Sequence, residues 1–145
     1  MKAIIVDDEE LALLHFNHML ERTNAFQSIL MFQDPADVLE YSGLSAADAV
    51  FLDIEMPGIN GIELAESIQA INENIQIIFI TAYNEFAIKA FELNAVDYLL
   101  KPVDNARLLT TVERIRMNKK LRTQTKTPGR IILYNVLETW TFINR

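Results

Sequence analysis

The sequence predicts an α/β domain, doubly wound around a parallel five-stranded sheet, on two observations. Short apolar runs alternate along the chain with segments whose apolar residues recur at helical spacing, five times over. The runs are nearly continuous, as in strands covered on both faces, and not alternating, as in a half-exposed antiparallel sheet. Parallel neighbours need crossover connections, and helices supply them on both faces.

Each element follows in order. Ala3-Ile4-Ile5-Val6 predicts the first strand, and Leu13, Phe16 and Leu20 share one face of the first helix. Ser28 to Phe32 is a weaker run for the second strand, and Asp34-Pro35 opens a short second helix with proline just inside it. Ala49-Val50-Phe51-Leu52 predicts the third strand, and Leu64, Ala65, Ile68 and Ile71 the third helix. Ile77-Ile78-Phe79-Ile80 precedes a fourth helix carrying Ala87, Ala90 and Phe91 inward. Tyr98-Leu99-Leu100 is the fifth strand, and Leu108, Val112 and Ile115 mark a fifth helix ending near residue 120. Residues 1–120 are thus the domain. Residues 121–130 form a basic polar linker, with Thr123, Gln124, Thr125, Thr127, Pro128 and Gly129. Residues 131–145 are too few to bury a core, and read as a tail or the start of a truncated effector domain.

Composition narrows the chemistry. The 145 residues contain no cysteine, which excludes a disulfide scaffold, a thiolate zinc site and a cysteine nucleophile. No apolar run reaches the roughly 18 residues that span a bilayer. The N-terminal run meets acid after four apolar residues, too few for a signal-peptide core, so a cytoplasmic protein is expected. Residues 1–113 carry five Lys/Arg against nineteen Asp/Glu, and residues 114–145 eight against one. The acidic body suits a cation and repels nucleic acid. The basic stretch, which lacks interleaved aromatics, reads as a helix end and a solvated linker. His15 and His18, one turn apart, read as solvated surface residues, and Met19, Met31 and Met117 as core filler.

In such a fold the functional edge is the carboxyl end of the strands, where strand order reverses. Asp7 and Asp8 follow the first strand, Asp53 the third, Thr81 the fourth and Lys101 the fifth. Each has a bland reading: an acidic helix N-terminus, a strand-end cap, a solvated lysine. Their joint arrival at one edge decides for chemistry. Three carboxylates repel one another unless a cation sits among them, and a hard, oxygen-preferring ion such as Mg²⁺ fits. Lys101 and Thr81 would neutralise an anion beside it. An aspartate so placed can attack phosphorus to give an aspartyl phosphate. Asp53 is the natural nucleophile, because the Pro57-Gly58 turn bends the chain away and leaves room above it.

The chain resembles the receiver domain of bacterial two-component response regulators, whose fold is the flavodoxin-like (βα)5 sheet. The matching segments are Val6-Asp7-Asp8-Glu9, Leu52-Asp53-Ile54-Glu55-Met56-Pro57 with Gly61, Ile80-Thr81-Ala82, and Ala95-Val96-Asp97-Tyr98-Leu99-Leu100-Lys101-Pro102. The resemblance implies that Asp53 takes phosphate from a sensor histidine kinase. It implies Mg²⁺ on Asp8 and Asp53, with Asp7 assisting through water and the Glu55 main-chain carbonyl completing the set. It implies Thr81 and Tyr98 as a switch pair, hydroxyl moving toward the phosphoryl group and ring turning inward, and a cis Lys101–Pro102 bond. It implies that Glu55 and Tyr83, which fill two positions that vary in the family, flank attacking water and so tune phosphate lifetime. The stretch Thr81 to Phe91 is similar to receivers that precede LytTR-type DNA-binding domains.

The expected function is a phosphorylation-controlled switch in a phosphorelay, with chemistry on its own Asp53 and no turnover. Its output face is the fourth helix, fifth strand and fifth helix (Glu85–Leu93, Asp97–Leu100, Asp104–Met117). There Lys89, Asp97, Arg107, Glu113 and Arg114 offer charges for a homodimer. Three readings compete. One is a truncated DNA-binding transcription regulator, which would touch DNA only through a missing effector domain. Another is an aspartyl-phosphate phosphohydrolase, for which Asp53-Ile54-Glu55 lies on the wrong strand and no cap domain has room. The last is a partner-binding module that never carries phosphate.

Overall fold

The computed structural model describes residues 1–125. The elements run β1 (Lys2–Val6), α1 (Glu10–Glu21), β2 (Ser28–Phe32), α2 (Pro35–Glu40), a 3-10 turn (Leu44–Ala46), β3 (Ala49–Leu52), α3 (Gly61–Ile71), β4 (Gln76–Thr81), α4 (Ala87–Glu92), β5 (Asp97–Leu100) and α5 (Asn105–Thr125). The five strands pair in parallel in the order β2-β1-β3-β4-β5. This is the flavodoxin-like (βα)5 arrangement. The order reverses between β1 and β3, so the crevice expected for a site lies beyond the ends of those two strands.

Alternation along the strands divides the core in two. Ile4, Val6, Val50, Leu52, Ile77 and Phe79 pack against α2, α3 and α4. Ala3, Ile5, Phe51, Ile78 and Ile80 pack against α1 and α5 on the opposite face. Every residue of β3 and β4 is buried, which is why those segments read as unbroken apolar runs. Phe51 lies against Phe16 of α1, ring centroids 5.2 Å apart, and fixes that helix over the middle of the sheet. Burying one such side chain is worth about 1.5–3 kcal/mol.

Local signals account for the helix starts. The Asp34 carboxylate accepts from Ala36 N at 3.0 Å with Pro35 in the first turn, and Asn60 Oδ1 accepts from Glu63 N at 2.9 Å. Gly61 opens α3 where no side chain fits: a Cβ there would lie 2.2 Å from the Asp53 carbonyl oxygen. Its N–H donates to the Ile54 carbonyl at 2.8 Å, tying α3 to the turn after β3.

Four expectations are corrected. Met31 and Met117 are exposed, and only Met19 of the three packs in the core. Met31 belongs to β2, which lies at the sheet edge with Leu30 also exposed. Met117 sits on the side of α5 away from Leu108, Val112 and Ile115. Asp97 offers no charge to a partner, because it is buried and spent within the domain. The fourth helix is shorter than expected, starting at Ala87. The fifth is longer, running to Thr125 and so entering the 121–130 stretch read as linker. The rest of that stretch and the 131–145 segment lie outside the described residues. Among the described residues no helix is long and apolar enough to cross a membrane, and His15 and His18 are both exposed.

Candidate functional site

Register delivers the acidic residues to one place. Val6 pairs with Leu52, and Asp53 N donates to the Val6 carbonyl at 3.0 Å, so Asp7 and Asp53 emerge side by side from the two central strands. On the other flank Thr81 pairs with Leu100, and Lys101 N donates to the Thr81 carbonyl at 2.8 Å. The sheet thus places Asp7, Asp53, Thr81 and Lys101 along one edge, and Asp8 extends the row from β1. The Lys101–Pro102 bond is cis, as expected.

Carboxylate oxygens of Asp7, Asp8 and Asp53 lie within 4.8 Å of one another. Asp7 and Asp53 are held alike. Asp7 Oδ1 accepts from Glu9 N at 3.0 Å, and Asp53 Oδ1 from Glu55 N at 3.2 Å, each two residues on in the turn leaving its strand. The remaining Oδ2 atoms both accept from Lys101 Nζ, at 2.9 Å each. Asp8 is the most exposed of the three. An all-oxygen set of this density fits a hard divalent cation, which takes carboxylates and few other protein ligands.

The electrostatics follow from partial burial. Burial raises the Asp53 carboxyl above its ordinary 3.8, and the nearby Asp7 charge adds to that; the hydrogen bond and charge of Lys101 pull the other way without cancelling it. Burial opposes the charge on Lys101, but hydrogen bonds from it to Asp7 and Asp53 and their two charges outweigh that, so its pKa is raised. Lys101 therefore stays cationic, and Asp53 is a more basic carboxylate than a solvated one.

The expected switch pair is joined through a third residue. Thr81 is 0% exposed, and its Oγ1 accepts from Tyr83 N at 3.3 Å. The Tyr98 hydroxyl donates to the carbonyl of the same Tyr83. The Tyr98 ring is buried in the α2–α3–α4 core against Phe79, with ring centroids 6.4 Å apart, and burial pushes its phenol up to about 12. The Tyr83 backbone, N–H on one side and carbonyl on the other, is thus the link between hydroxyl and ring, which sequence reading missed because main-chain groups carry no residue signature. Glu55 joins the site by its backbone; its side chain is exposed and stands outside the carboxylate cluster. The Tyr83 side chain is likewise exposed.

The buried Asp97 network was also missed. The Asp97 carboxylate accepts from Arg107 through both guanidinium nitrogens, from Thr111 Oγ1 at 2.6 Å and from Arg114 at 3.1 Å. Burial would raise its pKa, but Arg107 and Arg114 together with the Thr111 hydrogen bond hold it below the usual carboxylate value. Two arginines seven residues apart, both with an aspartate ten or more residues upstream, were the available signal.

Comparison with known proteins agrees with this geometry. The family described as the response regulator receiver domain matches residues 3–113. The chain is 40% identical over 119 residues to the transcriptional regulatory protein LytR of Staphylococcus aureus, covering 82% of this chain and 48% of that protein. It is 37% identical over 126 residues to the sensory transduction protein LytT of Bacillus cereus, covering 87% and 51%. The chain therefore spans about half the length of these curated relatives. Among solved structures, the response regulatory domain of mrkE from Klebsiella pneumoniae is 36% identical, with a TM-score of 0.74 over 83% of this chain and 99% of that one. The fold, the aspartate cluster of a phosphorylation-activated switch, and a family match over most of the described residues converge. The chain belongs to the response regulator receiver domains and is closely related to those of LytR and LytT.

Proposed function

We propose that Asp53 is the phosphoacceptor of this domain and that its donor is the phosphohistidine of a sensor kinase. The observation that carries this is the pairing of Asp53 Oδ2 with Lys101 Nζ at 2.9 Å, in a row of acid, buried at Asp7 and Asp53, that Lys101 alone does not neutralise. An Asp53 carboxylate oxygen attacks phosphorus; the new O–P bond forms as the P–N bond to the donor histidine breaks, and the electron pair stays on the imidazole. The chemistry is performed on the domain's own side chain, without turnover. Asp7, Asp8 and Asp53, with the Glu55 main-chain carbonyl, are the residues that would hold Mg²⁺. When bound, it supplies positive charge that lets an anionic phosphoryl group approach the carboxylates.

Lys101 turns from its carboxylate partners to the phosphoryl oxygens. Thr81 Oγ1 accepts from Tyr83 N, so its own hydrogen is left to donate to the same group. A move of Thr81 pulls on the Tyr83 N–H, and through the Tyr83 backbone and its carbonyl on Tyr98. This gives the switch pair a mechanical connection between site and β5. Glu55 and Tyr83, exposed on either side, set how readily water reaches the acyl phosphate. Incubating the chain with acetyl phosphate and measuring intact mass tests the assignment. One Mg²⁺-dependent phosphoryl adduct is expected in wild type and none in Asp53→Ala; an adduct that survives in the variant refutes it.

We further infer a homodimer through α4, β5 and α5 on phosphorylation. Ile88 of α4 is 59% exposed and Leu100 at the end of β5 39%, so an apolar strip is available there. Asp97 takes no part. Sedimentation with and without beryllofluoride should show doubling of mass, lost in Ile88→Lys; an unchanged mass counts against it. The match to about half the length of LytR, whose name gives it a transcriptional regulatory role, supports a longer regulator in which this receiver governs a DNA-binding effector, and a cytoplasmic place is part of the same reading.

A further inference from the structure

Asp7, Asp8 and Asp53 form one cluster but are not held alike. The Asp7 and Asp53 carboxylates each take a main-chain N–H on Oδ1 and Lys101 Nζ on Oδ2. Asp8 has no such support. Among the described residues its carboxylate accepts no hydrogen bond, and the one bond that Asp8 makes is to Gln33, whose Nε2 donates to the Asp8 carbonyl at 3.2 Å.

Gln33 directly follows β2, just where main-chain pairing with β1 stops. Val6 pairs with Phe32, and Asp7 N still donates to the Phe32 carbonyl at 3.2 Å. Asp34 then turns the chain into α2, its carboxylate taken by Ala36 N. The Gln33 side chain spans the gap that follows and reaches the peptide joining Asp8 to Glu9. The N–H of that same peptide, Glu9 N, donates to Asp7 Oδ1 at 3.0 Å. The peptide is therefore held at both ends, and Gln33 supplies the end that comes from outside its own turn.

We propose that Gln33 is a positioning residue for the divalent cation, acting through the main chain of Asp8. This rests on the reading that the three aspartates hold Mg²⁺. A ligand whose backbone is already fixed loses little freedom on binding, whereas one that must be ordered at that moment weakens binding by the cost of ordering it. Groups behind metal ligands act in this way generally. Asp8 is the member of the cluster that needs the support, being exposed and outside the reach of the Lys101 hydrogen bonds. A glutamine suits the task because it donates without charge: a lysine there would oppose the cation, and a glutamate would have no hydrogen to give the carbonyl.

The test is a Mg²⁺ titration of the full 145-residue chain by amide-resolved NMR, on wild type, Gln33→Met and Asp8→Asn. Gln33→Met keeps the length of the side chain and removes the donor. It should weaken Mg²⁺ binding about three- to tenfold, as the loss of one ordinary hydrogen bond does. In metal-free buffer its Tm should stay within about 2 °C of wild type, because Gln33 is exposed. The order parameter of the Glu9 N–H should fall in the metal-free variant and recover at saturating Mg²⁺, with that of the Glu55 N–H unchanged. An unaltered Mg²⁺ affinity, or an equal loss of order at Glu9 and Glu55, would overturn the proposal. Asp8→Asn tells the two failures apart. If it weakens Mg²⁺ binding and Gln33→Met does not, the cluster holds the cation and Gln33 does not position it; if neither variant weakens binding, the cation site itself is wrong and the role of Gln33 falls with it.

Discussion

Lys101 does two things to Asp53 that have opposite signs from what burial does. Burial drives the Asp53 carboxyl toward its neutral form, while the Lys101 hydrogen bond and charge favour the carboxylate. The balance leaves the Asp53 carboxyl above its ordinary 3.8, and so a more basic oxygen nucleophile than a solvated carboxylate. Removing the lysine removes only the lowering influence. Lys101→Met should therefore move the Asp53 titration further upward in a metal-free ¹³C carboxyl NMR experiment; a midpoint that falls or stays put would show that the ion pair is not what holds Asp53 charged. Sequence reading located both partners because each directly follows a strand, and strand ends are where an apolar run visibly stops. It could not see the pairing itself. That depends on Asp53 Oδ1 being occupied by Glu55 N, which leaves Oδ2 to face the lysine.

Among the elements, α5 was the least legible. Its inward stripe of Leu108, Val112 and Ile115 was plain, but its grip on the sheet is polar. Arg107, Thr111 and Arg114 converge on Asp97 at the start of β5, while Gln76 of β4 donates to the Ile115 carbonyl at 3.0 Å and accepts from Asn118 at 3.2 Å. Asp97, Arg107 and Arg114 read as charges on an output face and Gln76, Thr111 and Asn118 carried no signal, because only the packed helix shows that they meet at the sheet. The same blindness to position made Met31 read as core filler: an apolar run does not say that its strand lies at the edge. The Asp97 side chain is 0% exposed, and removing one partner of a buried ion pair costs about 3–5 kcal/mol. Asp97→Asn should destabilise the domain by about 3 kcal/mol at pH 7 in chemical unfolding. The folded pKa of Asp97 lies below its unfolded value of about 3.8, so its contribution is whole above that pH and fades as pH falls through the folded value. The gap between wild type and variant should accordingly narrow only below about pH 3.8. A gap that closes between pH 7 and 5 would assign the stability to another group.

Over the whole molecule, two features meet at the reversal of strand order between β1 and β3. The topology concentrates Asp7, Asp8 and Asp53 there, in a body whose residues 1–113 carry nineteen acidic against five basic side chains. The distant acids act as a diffuse field that any salt screens within about 10 Å at 0.1 M. The three clustered carboxylates act at contact, where one lysine cannot balance them. A divalent cation that binds only the folded cluster must stabilise the fold by mass action, about 2.7 kcal/mol at a hundredfold excess over its dissociation constant. In thermal unfolding, saturating Mg²⁺ should raise Tm by roughly 5 °C or more, and NaCl of equal ionic strength by much less. Asp8 is the carboxylate to remove, because it is the most exposed of the three and Lys101 bonds the other two. Asp8→Asn should leave the fold intact and lose most of the Mg²⁺ response while keeping the NaCl response. Equal responses to Mg²⁺ in wild type and variant would mean that the cation acts on the general acidic field, and that the cluster at the reversal point is not where it binds.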